Sequence, residues 1–94
     1  MIVGKAEVRA IFRITKQGKV AGCYVTEGTL SREARARVQR AGQQLFDGSV
    51  HALKRFTEDV KEVATGFECG ISLNGFDDFQ AGDVVEFYKK ERVS

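Results

Sequence analysis

Three features of the sequence predict an all-β domain closed into a barrel. Runs of apolar–polar alternation recur at spacings near ten residues, and glycine-containing turn signals separate them. The 94-residue chain also holds ten glycines and seven phenylalanines but no proline and no tryptophan. Short strands at that spacing belong to sandwiches and barrels. Prolines are one device that blunts an exposed sheet edge, so their absence favours a barrel without edges. The length suits a single domain over residues 1–94, with a small core that buries about two-thirds of the unfolded surface.

The elements follow in order. Ala6, Val8, Ala10, Phe12 and Ile14 alternate with Glu7, Arg9, Arg13 and Thr15, leaving only Ile11 out of phase. Period two marks a half-buried strand over 6–15 with the first set facing inward. Lys16-Gln17-Gly18-Lys19 makes a turn, and Val20 to Glu27 resumes as a second strand closed by Gly28, which completes a hairpin. Residues 31–46 support two readings. Ser31 followed by charges, with Leu30, Ala34, Val38, Ala41 and Leu45 at helical spacing, reads as a capped amphipathic helix. Gly42 in its middle costs about 1 kcal/mol relative to Ala, and two strands, 35–40 and 43–47, joined at Ala41-Gly42 fit equally well. Asp47-Gly48 is a turn signal, and Val50 to Phe56 follows as a strand. Thr57 to Lys61 reads as a loop or a single helical turn. Phe67, Cys69, Ile71 and Leu73 alternate with Glu68, Gly70, Ser72 and Asn74 as a further strand. Asn74-Gly75 turns it, and Ala81-Gly82-Asp83 leads into a last strand, Val84 to Lys89.

Composition is that of an ordinary soluble globular domain, 43% hydrophobic and 30% charged. No apolar run approaches the roughly 20 residues of a membrane span, and with no charged-then-apolar opening a secretory signal is not expected. Met1 running straight into a strand pattern suggests a domain cut from a longer protein. Fifteen Lys and Arg against thirteen Asp and Glu leave a net charge of +2, too mild to argue for duplex DNA binding. Local cationic candidates remain at Arg32, Arg35, Arg37 and Arg40, and at Lys54-Arg55. Either is most simply a solvated face.

Catalytic patterns are missing. There is no GxxxxGK[ST], no GxGxxG and no GxSxG. His51 is alone and has no cysteine near it in sequence, so it lacks the nucleophile a catalytic base needs. Two cysteines and one histidine fall short of a closed zinc site. Asp77-Asp78 and Glu58-Asp59 read as solvated turn acids. Cys23 and Cys69 read as reduced thiols, and each shares an apolar strand face, as core cysteines do. No metal, cofactor or enzymatic activity is expected.

Three stretches carry a family signature: Ala21-Gly22-Cys23-Tyr24-Val25-Thr26, Leu53-Lys54-Arg55-Phe56, and Glu62-Val63-Ala64-Thr65-Gly66-Phe67-Glu68-Cys69-Gly70. In this order, and followed by residues 74–84, they resemble the last domain of bacterial translation initiation factor 2, from about Gly4 to about Tyr88. The resemblance implies a closed antiparallel β-barrel like domain II of elongation factor Tu, which favours strands over a helix in 31–46. It also explains the missing GTPase signature, which in that family lies in a separate upstream domain.

The resemblance further implies binding of the formylmethionyl CCA end of initiator tRNA. Engagement of the ribosome would run through the parent factor, in the cytoplasm, with neither DNA nor membrane as a partner and with the isolated domain a monomer. Its residue matches are Cys23, Lys54, Arg55, Phe56, Glu68, Cys69 and Gly70. The thiols would suit a thioether side chain, Gly70 would allow close approach, and the cationic pair would flank the phosphates. Phe56 and Tyr24 are the aromatics at hand for an unstacked base. Glu68 would be held by Arg55 or Lys54. Strand alternation points Glu68 and Cys69 to opposite faces, which calls for a bulge or for a pocket at the strand's end. The alternative readings are a general single-stranded RNA binder using the Arg32–Arg40 run, a structural barrel docked on a neighbouring domain, and, last, a cysteine esterase.

Overall fold

The computed structural model describes residues 2–13, 19–55 and 58–89. They form eight strands: β1 (Ile2–Arg13), β2 (Lys19–Ser31), β3 (Arg35–Arg40), β4 (Gln43–Arg55), β5 (Glu58–Asp59), β6 (Glu62–Ala64), β7 (Glu68–Leu73) and β8 (Val84–Tyr88). Six of them close a ring in the order β1-β8-β3-β4-β7-β2, with β2 returning to β1. Every pairing is antiparallel. The expected closed antiparallel β-barrel is therefore the observed fold. β5 pairs with the end of β4, and β6 pairs with the end of β2. Both extend the wall beyond the ring.

The interior is filled by alternate residues of the ring strands. Val8, Val25, Val38, Leu53, Ile71, Val85 and Phe87 are all buried to 1% exposure or less, and Leu30 plugs the end nearest β6. Each such side chain contributes about 1.5–3 kcal/mol on leaving water. These contacts join strands distant in sequence, so the barrel forms only as a whole.

The turn at Ala41-Gly42 decides between the two readings of residues 31–46 in favour of strands. Both residues have positive φ, 51° and 80°, the conformation of a two-residue hairpin turn that matches strand twist. The strands it joins pair from Arg40↔Gln43 to Arg35↔Ser49.

Several expectations are corrected. Asp47-Gly48 is no turn. Both lie inside β4, opposite Arg37 and Ala36, and the space a Gly48 side chain would take is filled by the Phe46 ring at 2.6 Å. Gly28 does not end β2. Its φ of +63° and its approach to Val3 O bend the strand so that Thr29–Ser31 leave β1 and pair with β6. The acidic stretch after β4 is neither loop nor helical turn at Glu58–Asp59, which pair with Arg55 and Lys54. β7 starts at Glu68, and Phe67 stands 47% exposed instead of sharing the buried face of Cys69, Ile71 and Leu73. The 16–18 turn, Ile14 and Phe56 lie outside the described residues.

The most consequential correction concerns β1. Its register against β2 runs Val8↔Cys23 and then Ala10↔Gly22, so Arg9 is an extra residue, a β-bulge. A bulge reverses the side-chain alternation beyond it. Ala6 and Val8 face the core, but Ala10 and Phe12 now oppose the outward residues Gly22 and Val20. Phe12 is 55% exposed instead of buried.

Candidate functional site

A groove of about 830 Å³ lies on the barrel's outer surface where β1, β2, β7 and β4 run side by side. Its floor is the β2–β7 pair. Gly22 opposes Gly70, between the inward pairs Ala21↔Ile71 and Cys23↔Cys69. Neither glycine puts a side chain of its own on the outward face; the Phe12 ring fills the space over Gly22 and a Val20 methyl flanks Gly70, so a ligand comes closest to the backbone at Gly70.

Neighbouring strands raise the walls. Lys54 pairs with Gly70, so the Lys54-Arg55 end of β4 borders one side. The bulged segment of β1 borders the other. A Cβ on Gly22 would stand 2.7 Å from Phe12 Cε2, and one on Gly70 would stand 3.2 Å from Val20 Cγ1. Phe12 and Val20 thus overhang the floor. Gly66, Phe67 and Glu68 close the end where β7 begins.

Cys23 and Cys69 both border the groove, yet their side chains belong to the inward face, 1% and 6% exposed. The Cys23 thiol lies 3.5 Å from Ala21 O, as a weak donor. Burial pushes both thiols up, Cys69 to about 11 despite the Arg55 charge, and Cys23 well above its ordinary value, with the neighbouring Cys69 adding to the effect. They are neutral thiols at physiological pH. A thiolate is the nucleophilic form, so this environment opposes a cysteine esterase.

Six of the seven residues singled out from sequence border this one groove: Cys23, Lys54, Arg55, Glu68, Cys69 and Gly70. Glu68 and Cys69 point to opposite faces, as their alternation requires. Both border the groove at the start of β7, where the β2–β7 register is unbroken and carries no bulge.

The rim is cationic. Arg9, Lys54 and Arg55 stand against the single carboxylate of Glu68 among the groove's bordering residues. The Arg55 guanidinium carbon lies 4.6 Å over the Phe67 ring, and that of Arg9 lies 5.1 Å over Tyr24. Arg9 also pairs with Glu7 at 2.8 Å. Tyr24 carries a cation on its ring and does not border the groove; Phe12 does. Phe12, Val20 and Gly22 escaped the sequence reading. The available signal was Ile11, the single out-of-phase residue of β1, which marks the bulge.

The arginine run on β3 is not an open basic patch. Arg40 grips Asp83 through Nε–Oδ1 at 2.8 Å and NH2–Oδ2 at 2.9 Å, and also donates to Asp78 O. Arg35 faces Asp47 at 3.7 Å and donates to the Tyr88 hydroxyl. Arg37 lies over the Tyr88 ring and 3.9 Å from Glu86, which also accepts from Gln39 and pairs with Lys5. Three of the four cations are thus matched to carboxylates of the same wall. His51 faces Asn74 at 3.2 Å, and no group of three or more potential metal ligands gathers among the described residues.

Residues 18–86 match the family described as elongation factor Tu domain 2. The chain belongs to that family. This domain-2 barrel is 54% identical over 92 residues to translation initiation factor IF-2 of Thermus thermophilus, covering 98% of the chain and 16% of that protein. It is 52% identical over 93 residues to the factor of the same name from Moorella thermoacetica, covering 99% of the chain and 10% of the relative. The chain therefore spans a small fraction of the curated relatives it matches. Its fold is also that of part of GDP-bound aIF5B from Aeropyrum pernix, a crystal structure, with a TM-score of 0.75, 19% identity, and 93% of this chain and 16% of that one covered.

Proposed function

We propose that this domain captures the formylmethionyl CCA end of initiator tRNA, as the last domain of a multidomain bacterial initiation factor. The observation that carries the reading is the convergence of Cys23, Lys54-Arg55 and Glu68-Cys69-Gly70, from three separate stretches, on one groove. The parent factor would engage the ribosome in the cytoplasm and keep its GTPase in another domain. This domain binds and does not catalyse.

The groove supports the three contacts such a ligand needs. The floor at Gly70, beside the Phe12 ring and over two neutral thiols, offers a polarizable, uncharged seat for the methionyl side chain. The Gly70 backbone can approach a ligand carbonyl. Lys54 and Arg55 flank the phosphates of the incoming strand, with Phe56, outside the described residues, following them in sequence.

Formyl selection then has a physical cause. Without the formyl group the ester ends in an α-ammonium. An ammonium held about 6 Å from one rim cation, at an effective dielectric near 20, is destabilised by about 3 kcal/mol. A hydrogen bond to the formyl oxygen contributes only about 1 kcal/mol. Repulsion and desolvation of the uncapped amine therefore dominate discrimination. Glu68 would favour an ammonium unless Arg55 or Lys54 engages it, so Glu68→Gln is expected to alter selectivity; unchanged discrimination would sink that role.

The test is titration of the domain with formylmethionyl-adenosine and with its unformylated counterpart, following backbone amide shifts. Shifts confined to the groove residues and to the formylated ligand are expected. Equal responses to both would refute formyl selection. Salt-steep binding to any single strand would favour a general RNA binder, and no binding at all would favour a structural barrel.

A further inference from the structure

The bulge at Arg9 spends an apolar aromatic on solvent. Without it, Phe12 would follow Val8 into the core; with it, the ring stands 55% exposed at the lip of the groove. It is not merely a loose surface side chain. Cε2 lies 2.7 Å from where a Gly22 Cβ would stand, so the ring rests on backbone that only a glycine leaves open. One part of the ring is fixed by the sheet and the rest is open to the groove. Bulges that re-aim a single side chain recur beside binding sites.

We propose that Phe12 is a positioning residue of the same groove, a stacking lip for the unpaired purine of the nucleoside that carries the acyl group. The proposal rests on the acyl-binding reading above and assigns the base a place that reading left open. Tyr24, a second described aromatic nearby, has Arg9 at 5.1 Å over its ring and lies off the groove. Phe67 carries Arg55 at 4.6 Å. Phe12 borders the groove on the β1 side, across the Gly22–Gly70 floor from Lys54. A nucleoside ester seated with its acyl group on that floor would place its base at one rim and its phosphate at the other. Stacking on a rigid ring is sequence-tolerant and is supplied by any purine.

The test compares formylmethionyl-adenosine with formylmethionine methyl ester, which lacks the base. Binding is measured by calorimetry to the wild-type chain, Phe12→Leu and Phe12→Trp. Phe12 is mostly exposed, so the Leu variant is expected to fold, and its thermal unfolding is checked alongside. Stacking one base predicts that wild type prefers the nucleoside ester by roughly fivefold to a hundredfold. Phe12→Leu should weaken the nucleoside ester more than the methyl ester until the two bind alike, and Phe12→Trp should keep the preference. A preference that survives Phe12→Leu, or a loss shared equally by both ligands, overturns the proposal. If wild type binds both ligands alike, the stacking lip fails while acyl binding stands. If it binds neither, the acyl reading itself fails and this one falls with it.

Discussion

Adding one methyl group at Gly70 separates binding from folding. In Gly70→Ala the new Cβ would lie 3.2 Å from Val20 Cγ1 and 4.0 Å from Lys54 O. The first contact is a few tenths of an ångström too close, and the second is comfortable. Val20 is half-buried, so a χ1 adjustment absorbs the conflict at about 0.5–1.5 kcal/mol. Replacing glycine returns about 0.4–1 kcal/mol by restricting the unfolded chain. The net cost is at most about 1 kcal/mol, or roughly 4–8 °C in Tm for a domain of this size. The groove fares worse. Its floor rises by a methyl group at the point where a ligand would meet backbone, displacing the acyl group and lengthening its hydrogen bond. Losing that bond, worth about 1 kcal/mol, together with close packing predicts at least a tenfold weaker Kd, equivalent to about 1.4 kcal/mol. Calorimetric titration with formylmethionyl-adenosine, beside thermal unfolding by circular dichroism, reads both quantities. A variant that is folded and binds within twofold of wild type would show that the glycine floor is not the seat of the ligand.

Other outcomes follow from the same geometry. Arg40 beside Asp83, helped by the Gln80 amide, holds the Asp83 carboxyl below its ordinary value. A depressed folded pKa means that the stability it supplies is full above the unfolded value of about 3.9 and is lost as pH falls through the lower folded value. The Tm gap between wild type and Asp83→Asn should accordingly be constant from pH 7 to about 5 and shrink in stronger acid; a gap independent of pH would remove the ion pair from the stability of the β3 end. With Cys69 raised to about 11 and Cys23 also raised well above its ordinary value by burial, iodoacetamide at pH 8 should modify the native chain at least tenfold more slowly than the urea-unfolded chain, as read by mass spectrometry. Lys54→Gln should weaken binding of a formylmethionyl trinucleotide and lower the slope of log K against log salt by about 0.7; an unchanged slope would place Lys54 away from phosphate. Discrimination against an amide-linked, unformylated analogue should diminish as pH rises past the amine's pKa of about 8, because the repelled charge disappears. Selectivity constant to pH 9 would assign it to the formyl hydrogen bond instead.

How far the sequence foretold this molecule depended on whether the information was local. Alternation in 68–73 and 20–27, the hairpin, and the turn at Asn74-Gly75 were legible because period two and turn chemistry act over a few residues. The helix-or-strand ambiguity of 31–46 was not resolvable from pattern, since Ala34 and Val38 satisfy both periods. It is decided by pairing of β3 with β8 and β4, contacts some 50 residues away in part. Asp47-Gly48 misled for a related reason: glycine there makes room for the Phe46 ring and does not reverse the chain. The chemistry of the groove was readable by resemblance for six residues. Phe12 was not, because a one-residue bulge inverts every side chain after it, and only Ile11 out of phase betrayed it. The β3 arginines suggested a basic patch because their partners Asp47, Asp83 and Glu86 are remote in sequence.

Intermolecular NOEs between bound formylmethionyl-adenosine and the isotope-labelled chain report where the capped acyl group rests. Cross-peaks from the formyl proton and the S-methyl group to the α-protons of Gly22 and Gly70 and to the Val20 methyls are predicted. Cross-peaks confined to the β3–β8 wall, around Arg35, Arg37 and Tyr88, would contradict the account.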